Sequence, residues 1–301
     1  MTTTVTDEIA EIFERAGTRG YLHAVEVGTT SPEVAVAADE PVVTASVFKI
    51  FVLIAFVRAV DAGTIDPSER TTVTSRYRIG GIGMAGFSDD VTVSWRDLAL
   101  VMMSMSDNAA TDTLYHRLGG DAVNDVIRDL GLARTRLIGC CEDLFRSALD
   151  DLGVTEETDL EEFFATLDPR RLGQTAIVDP ARTSASTARE ITATVTALWT
   201  DAIASPSACA AARAIMAQQI WPHRLSSGFP AGVAVAAKTG TVPTWRNEAG
   251  VVTYPDGRQF AVAVFTQAWD DADRQPAIDS AIGQAAFAAI EHLRTLTPTP
   301  H

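Results

Sequence analysis

Of the twenty-four basic side chains in this sequence only two are lysine, Lys49 and Lys238, and each has a hydroxyl residue within three positions. Burial near other cations can strip a lysine of its proton, whereas arginine keeps its charge. Codon bias with two survivors is the bland explanation, and the neighbours of the two lysines argue against it. Lys49 ends Ser46-Val47-Phe48-Lys49 at the start of an apolar helical run. Three-residue spacing puts hydroxyl and amine on one helix face, within hydrogen-bonding reach. A neutral amine there can take the proton that keeps a serine from being a nucleophile. The helix N-terminus adds positive potential and free N–H groups for an oxyanion. Lys238 opens Lys238-Thr239-Gly240-Thr241 at the end of a predicted strand, where a cation can hold a substrate carboxylate and Gly240 lets the substrate's backbone approach. Ser106-Asp107-Asn108 falls where one predicted helix ends and another begins. Its hydroxyl can relay a proton and its amide can bind a carbonyl.

Segments far apart in the chain must converge for this chemistry, and the hydrophobic patterning indicates how. Residues 7–16 carry Ile9, Ile12 and Phe13 on one helical face. Residues 21–27 and 33–37 are short β-like runs around Gly28-Thr29-Thr30-Ser31-Pro32, a hairpin signal. Helical patterns follow over 48–61, 95–105, 109–118, 121–130, 186–201 and 208–219, with Gly63, Gly119-Gly120 and Gly131 as caps or turns. Between 137 and 182 short helical stretches surround Leu144 and Glu161, and Asp168-Pro169 and Asp179-Pro180 break helices. Strand-like runs then cover 233–238, 249–254 and 260–266, the last two joined by Pro255-Asp256-Gly257, before a closing helix over 278–294. Strands at both ends and helices between predict an α+β fold, an antiparallel sheet flanked by the terminal helices with an inserted all-helical subdomain. The expected division is 1–45 with 205–301 for the α/β subdomain and 46–204 for the helical one, the active site lying at their interface.

Any one of the three tripeptides is weak evidence. Ser-x-x-Lys, Ser-Asp-Asn and Lys-Thr-Gly in that order resemble the class A β-lactamase-type family of serine hydrolases, which includes penicillin-binding-protein-like members. The resemblance extends over roughly residues 22–293. It rests on the Thr-Ala-Ser-Val-Phe-Lys run, the Met-Ser-Asp-Asn helix end and the hairpin over 238–265. The spacing from Ser46 to Ser106 suits the family; that from Ser106 to Lys238 is longer. The resemblance implies a β-lactamase-like fold, with Ser46 as the acylated nucleophile and Lys49 as its base or proton relay. It implies that Ser106 delivers a proton to the leaving group. By the same resemblance Asn108 would hold a substrate amide, and Lys238 and Thr239 its carboxylate. The resemblance also implies that the N–H groups of Ser46 and Thr241 form the oxyanion hole, worth about 3 kcal/mol per donor. Arg246 falls about one residue from where the family often places a carboxylate-binding arginine.

The family's lactamases also carry Glu-x-x-Leu-Asn on an Ω-loop, where the glutamate positions the deacylating water. No such motif occurs between Leu137 and Arg182. Glu142, Glu161 and Glu162 are the candidates, and none is followed by Leu-Asn. The acyl-enzyme is therefore expected to persist or to pass to another acceptor. The expectation is a serine hydrolase or acyltransferase that cleaves an amide, ester or β-lactam of a carboxylate-bearing substrate. A true class A β-lactamase or D-Ala-D-Ala peptidase shares that chemistry. A catalytically silent ligand-binding member of the fold is the alternative of a different class.

The formal net charge of −15 argues against a nucleic-acid partner, which needs a basic face. The start, MTTTVTDEIAEIFERAG, lacks the basic and apolar regions of a secretory leader. The apolar stretch over 47–60 is interrupted by Lys49 and Arg58 and is too short for a bilayer, so no membrane partner is expected. Three cysteines, an odd count, suit a reducing compartment, and a cytoplasmic location is expected. Gly81-Ile82-Gly83-Met84-Ala85-Gly86 matches a dinucleotide fingerprint formally, yet it precedes Phe-Ser-Asp-Asp rather than a helix and reads as a loop beside the cleft. The histidines at 23, 116, 223, 292 and 301 lack metal-ligand spacing, and neither metal nor cofactor is expected. Gly-x-Ser-x-Gly is absent, which weakens an α/β-hydrolase reading. The oligomeric state is left open.

Overall fold

The run Phe-Ala-Val-Ala-Val-Phe over 260–265 is apolar at every position, and a strand sends alternate side chains to opposite faces. Such a strand needs cover on both sides. The computed structural model describes residues 4–30, 32–155, 157–158, 166–272 and 274–296. Among them the run lies in β9 (Gln259–Ala268), the middle strand of an antiparallel sheet. The sheet order is β2 (Glu33–Val36), β1 (Thr18–Glu26), β9, β8 (Trp245–Thr253), β7 (Ala234–Val242). Phe260, Val262 and Val264 pack on α1 (Val5–Arg15) and α9 (Pro276–Leu296) through Ile9, Phe13 and Ile282. Ala261, Ala263 and Phe265 belong to the core on the other face, and α7 (Ala188–Trp199) packs on β1 and β9.

Thr4 starts α1 by accepting the Asp7 N–H at 3.2 Å while the Asp7 carboxylate accepts the Thr4 N–H at 3.0 Å, a reciprocal cap. At the other end of the sheet, Gly257 turns β8 into β9 with φ 87°. β1 pairs with β9 from Thr18↔Ala268 to Glu26↔Phe260, so the first long strand and the last are neighbours.

In the helical part α2 (Lys49–Asp61) is buried at every position from Lys49 to Val57, a pattern that places it at the centre. Packed on it are α3 (Trp95–Ser104), α4 (Asn108–Leu118), α5 (Gly120–Asp129) and α8 (Pro206–Met216). Thus α7 lies on the sheet although it falls within 46–204, and α8 lies on α2 although it falls within 205–301. One apolar core joins Tyr21, Val25 and Phe265 of the sheet to Phe51, Leu53 and Leu98 of the helices. The two lobes share their interior.

Two short ladders complete the frame. β3 (Val42–Val43) pairs with β6 (Ala185–Ser186), and β4 (Arg70–Val73) pairs with β5 (Val91–Ser94). The β4–β5 hairpin carries the glycine loop of residues 80–86. β7 runs on through Lys238-Thr239-Gly240-Thr241 instead of ending there, because Thr241 and Val242 still find partners in Arg246 and Trp245. Among the described residues no helix is long and apolar enough to cross a membrane.

Candidate active site

Ser46 sits in a short 3-10 turn, Ala45–Phe48, that leads directly into α2. Two non-glycine residues at this site have left-handed backbone, Ala45 with φ 43° and Ser106 with φ 69°. Such conformations cost about 1–3 kcal/mol each and persist where surrounding structure enforces them. At Ala45 it is β7 that does the enforcing. A Cβ on Gly240 would lie 2.7 Å from Thr44 O and 3.1 Å from Ser46 N, so only glycine lets the strand lie flush against the Ser46 turn. From β8, Asn247 Nδ2 donates to Val43 O at 2.8 Å and fixes the approach to that turn. Ser46 lines a cavity of about 320 Å³ together with Ser106, Asn108, Thr239, Thr241 and Arg224.

The Lys49 amine is buried and donates three hydrogen bonds: to Ser106 O at 2.8 Å, Ser106 Oγ at 3.2 Å and Asn108 Oδ1 at 2.8 Å. Burial pushes its pKa below the ordinary lysine value, and Cys141, Asp112 and Asp107 oppose that shift. Lys238 is also fully buried, and its Nζ donates to Thr239 O at 2.8 Å. Burial holds it well below the ordinary value, and the charge of Lys49 adds to the effect while Glu248 counters it. The two amines therefore feel one another. Lys238 stands behind the cavity wall, which its neighbours Thr239 and Thr241 form.

Ser106-Asp107-Asn108 joins α3 to α4 and also pins the glycine loop. Asp107 caps α4 by accepting the Ala110 N–H at 3.0 Å, and its other oxygen accepts the Met84 N–H at 2.6 Å. Asn108 Nδ2 donates to Gly80 O at 3.0 Å. Gly81 and Ile82 consequently line the Ser46 cavity, in keeping with a loop beside the cleft.

Across from Lys49, α6 (Cys141–Asp151) begins on a buried carboxylate: Asp112 accepts the Cys141 N–H at 2.8 Å and the Glu142 N–H at 2.9 Å. That seat directs the Cys141 thiol at Asn108 Oδ1, 3.4 Å away. Burial pushes this thiol up to about 12, so it is neutral. Glu142 points elsewhere. One oxygen accepts from Arg146 at 2.6 Å, the other lies 3.7 Å from His116 Nε2, and the residue does not line the Ser46 cavity. Glu161 and Glu162 lie outside the described residues.

The arginine on the Ser46 cavity is Arg224, which sequence reasoning missed. It donates to Gly240 O and Asn247 O, both at 2.9 Å, to Thr241 Oγ1 at 2.7 Å and to Asp279 Oδ1 at 2.7 Å. It follows α8 in an irregular stretch, and no spacing sets it apart from the other arginines. Arg246 pairs with Thr241 across the ladder, but its guanidinium runs to Gln275 at 3.2 Å and Asp279 at 3.5 Å. It lines adjoining hollows rather than the Ser46 cavity.

The profile of the Beta-lactamase enzyme family matches residues 4–293. Among known proteins, the chain is 27% identical over 293 residues to the beta-lactamase regulatory protein BlaB of Streptomyces cacaoi, spanning 88% of this chain and 90% of that one. It is 25% identical to the extended-spectrum beta-lactamase PER-1 of Pseudomonas aeruginosa, over 84% and 77% of the two chains. Among solved structures, the beta-lactamase from Sphaerobacter thermophilus superposes with a TM-score of 0.75 at 27% identity, over 98% of both chains. The chain belongs to the beta-lactamase enzyme family and is a serine hydrolase of the β-lactamase-like superfamily.

Proposed function

We propose that Ser46 attacks the amide, ester or β-lactam carbonyl of a carboxylate-bearing small molecule, and that the resulting acyl-enzyme gives up its acyl group slowly to water or passes it to another acceptor. One observation carries this reading: a buried amine, Lys49, hydrogen-bonded to Ser106 and Asn108 at the edge of the cavity that Ser46 lines. Lys49, whose pKa burial lowers, takes the Ser46 proton in its neutral form as the C–O bond forms. The oxyanion develops between the N–H groups of Ser46 and Thr241. Ser106, in contact with the Lys49 amine, passes a proton to the leaving nitrogen or oxygen. Thr239, Thr241 and Arg224 face the substrate carboxylate from the wall, with the Lys238 side chain behind them. Asn108 exchanges its bond to Gly80 O for one to the substrate carbonyl.

Release differs from attack. Hydrolysis of the ester needs a base on the attacking water. The α6 side chain that meets Asn108 is the neutral thiol of Cys141, and the Glu142 carboxylate faces away. A slow release suits a receptor of β-lactams or acyl groups as well as a transacylase, and a similar protein, the Streptomyces cacaoi one, is named as regulatory. Three free, buried thiols favour a reducing compartment, hence the cytoplasm.

Intact-mass measurement after exposure to benzylpenicillin tests both halves. A single adduct that maps to Ser46 and outlasts the excess drug supports them. Absence of any adduct on folded protein refutes the nucleophile, and rapid multiple turnover of nitrocefin refutes the slow release.

A further inference from the structure

Outside the Ser46 cavity, donors of three different kinds meet at the junction of α4 and α6. His116 lies in the last turn of α4, Cys140 immediately precedes α6, and Glu142 lies in its first turn. Their ligand atoms all fall within 4.8 Å of one another. We propose that His116, Cys140 and Glu142 bind a divalent transition-metal ion of the Zn²⁺ type, clamping α4 to α6.

The chemistry fits that ion class. Imidazole, thiolate and carboxylate are its common protein ligands, with bonds of about 2.0–2.3 Å, and a tetrahedron on such bonds has edges of about 3.4–3.7 Å. His116 Nε2 and Glu142 Oε2 are already 3.7 Å apart. A side-chain adjustment of roughly 1 Å brings the sulfur to the same distance. The carboxylate is divided between two tasks: Arg146 holds Oε1 at 2.6 Å, which leaves Oε2 turned toward His116. Bonding of this kind behind a ligand fixes its orientation. The backbone is equally set. Asp112 holds the N–H groups of Cys141 and Glu142, and Asp143 accepts the Cys140 N–H at 2.9 Å. The His116 ring is boxed between Tyr77 and Tyr115, with centroids at 5.8 and 6.3 Å. Cys140 is 2% exposed, whereas the His116 and Glu142 side chains are 38% and 27% exposed, so an ion enters from solvent and keeps room for a water as fourth ligand. On binding, the thiol proton leaves to solvent, and thiolate, carboxylate and neutral imidazole balance the dication.

The ligands sit 24 and two residues apart, a pattern that no metal motif in the sequence would reveal. One residue beyond Cys140, the Cys141 thiol touches Asn108, so an ion here stiffens the α6 side of the catalytic cleft without entering it.

Cobalt(II) is the probe, added to the reduced, EDTA-treated full chain. The expected result is one cobalt per chain with thiolate-to-cobalt charge-transfer absorption. Cys140→Ser should abolish that band, His116→Ala should weaken cobalt binding at least tenfold, and Cys209→Ser should leave both unchanged. Because His116 is more than a third exposed, His116→Ala keeps the fold and decides the matter even if Cys140→Ser does not fold. Absence of the band in the parent protein, its persistence in folded Cys140→Ser, its loss in Cys209→Ser, or undiminished affinity in His116→Ala would each overturn the site.

Discussion

The Cys141 thiol donates to Asn108 Oδ1 at 3.4 Å, and the same oxygen accepts the Lys49 amine at 2.8 Å. A neutral sulfur thus occupies the side of the cleft from which a carboxylate could have pulled a proton off water. Cys141→Glu should shorten the life of the Ser46 adduct by about 10²-fold or more, the range of a positioned general base. The new negative charge should also raise the Lys49 pKa and slow acylation at neutral pH. Time-resolved intact mass separates the two effects, and an unchanged adduct lifetime in a folded variant removes Cys141 from the account of slow release.

Lys49→Arg keeps positive charge but cannot give up its proton. Acylation of Ser46 should fall by about 10²–10⁴-fold, the usual worth of the base. Ser46→Ala should take up no label at all. Labelling of Lys49→Arg at the parent rate would assign the proton transfer to another group.

The pH profile has a definite sign. Lys49 is held below the ordinary lysine value of 10.5, and only its neutral form accepts a proton. Acylation should rise with pH through that lowered pKa and level off before 10.5 is reached. Stability follows the same direction. The unfolded chain keeps its lysine protons to about pH 10.4, while the fold releases those of Lys49 and Lys238 earlier. Between those limits the unfolded state binds more protons, so raising the pH favours folding as far as these two groups are concerned. Stopped-flow labelling across pH checks the first statement, and a flat profile would contradict it.

Gly240→Ala places a methyl 2.7 Å from Thr44 O and 3.1 Å from Ser46 N. The strand must retreat from the nucleophile's turn, at a cost of about 1–3 kcal/mol. Denaturant unfolding and penicillin labelling should both register it, the labelling rate dropping further than stability alone explains. Full labelling with unchanged stability would show that β7 and the turn are not held in contact.

Arg224→Ala leaves the largely buried Asp279 carboxylate without its closest cation and strands the oxygens of Gly240 and Asn247. A loss of about 3–5 kcal/mol is expected, the cost of breaking a buried pair. Arg224→Lys should fold better and still weaken substrate binding, since a point charge does not span four acceptors. Arg246→Ala should cost less of both, because its guanidinium serves Gln275 and Asp279 outside the cavity. Concentration dependence of labelling distinguishes the two arginines, and a larger affinity loss at Arg246 would reverse their assignment.

What could be read in the sequence depended on how rare a residue was and how regular its setting. Lys49 and Lys238 stood out because amines are scarce here, and the both-faced burial of β9 was written in its unbroken apolar run. Arg224 was invisible, one guanidinium among many in an irregular stretch, and only its bonds to Gly240 and Thr241 distinguish it. The β4–β5 hairpin leaves little trace in the sequence because its four-residue strands, Arg-Thr-Thr-Val and Val-Thr-Val-Ser, are mostly polar. β7 looked finished at Lys238 because Gly240 and Pro243 suggest a break, yet pairing with β8 overrides local propensity.

The placement of β1 between β2 and β9 has a bearing on how the protein is made. β1 pairs with β2 as soon as both have emerged, but its other edge waits for residues 260–268, more than two hundred residues later in the chain. At about 5–20 residues per second that delay is on the order of ten to fifty seconds. Throughout it an apolar strand edge stays open to any passing chain, which makes aggregation during translation the characteristic hazard of this topology. Overexpression yield should therefore respond more to slower induction and to chaperones than to mutations that stabilise the finished fold.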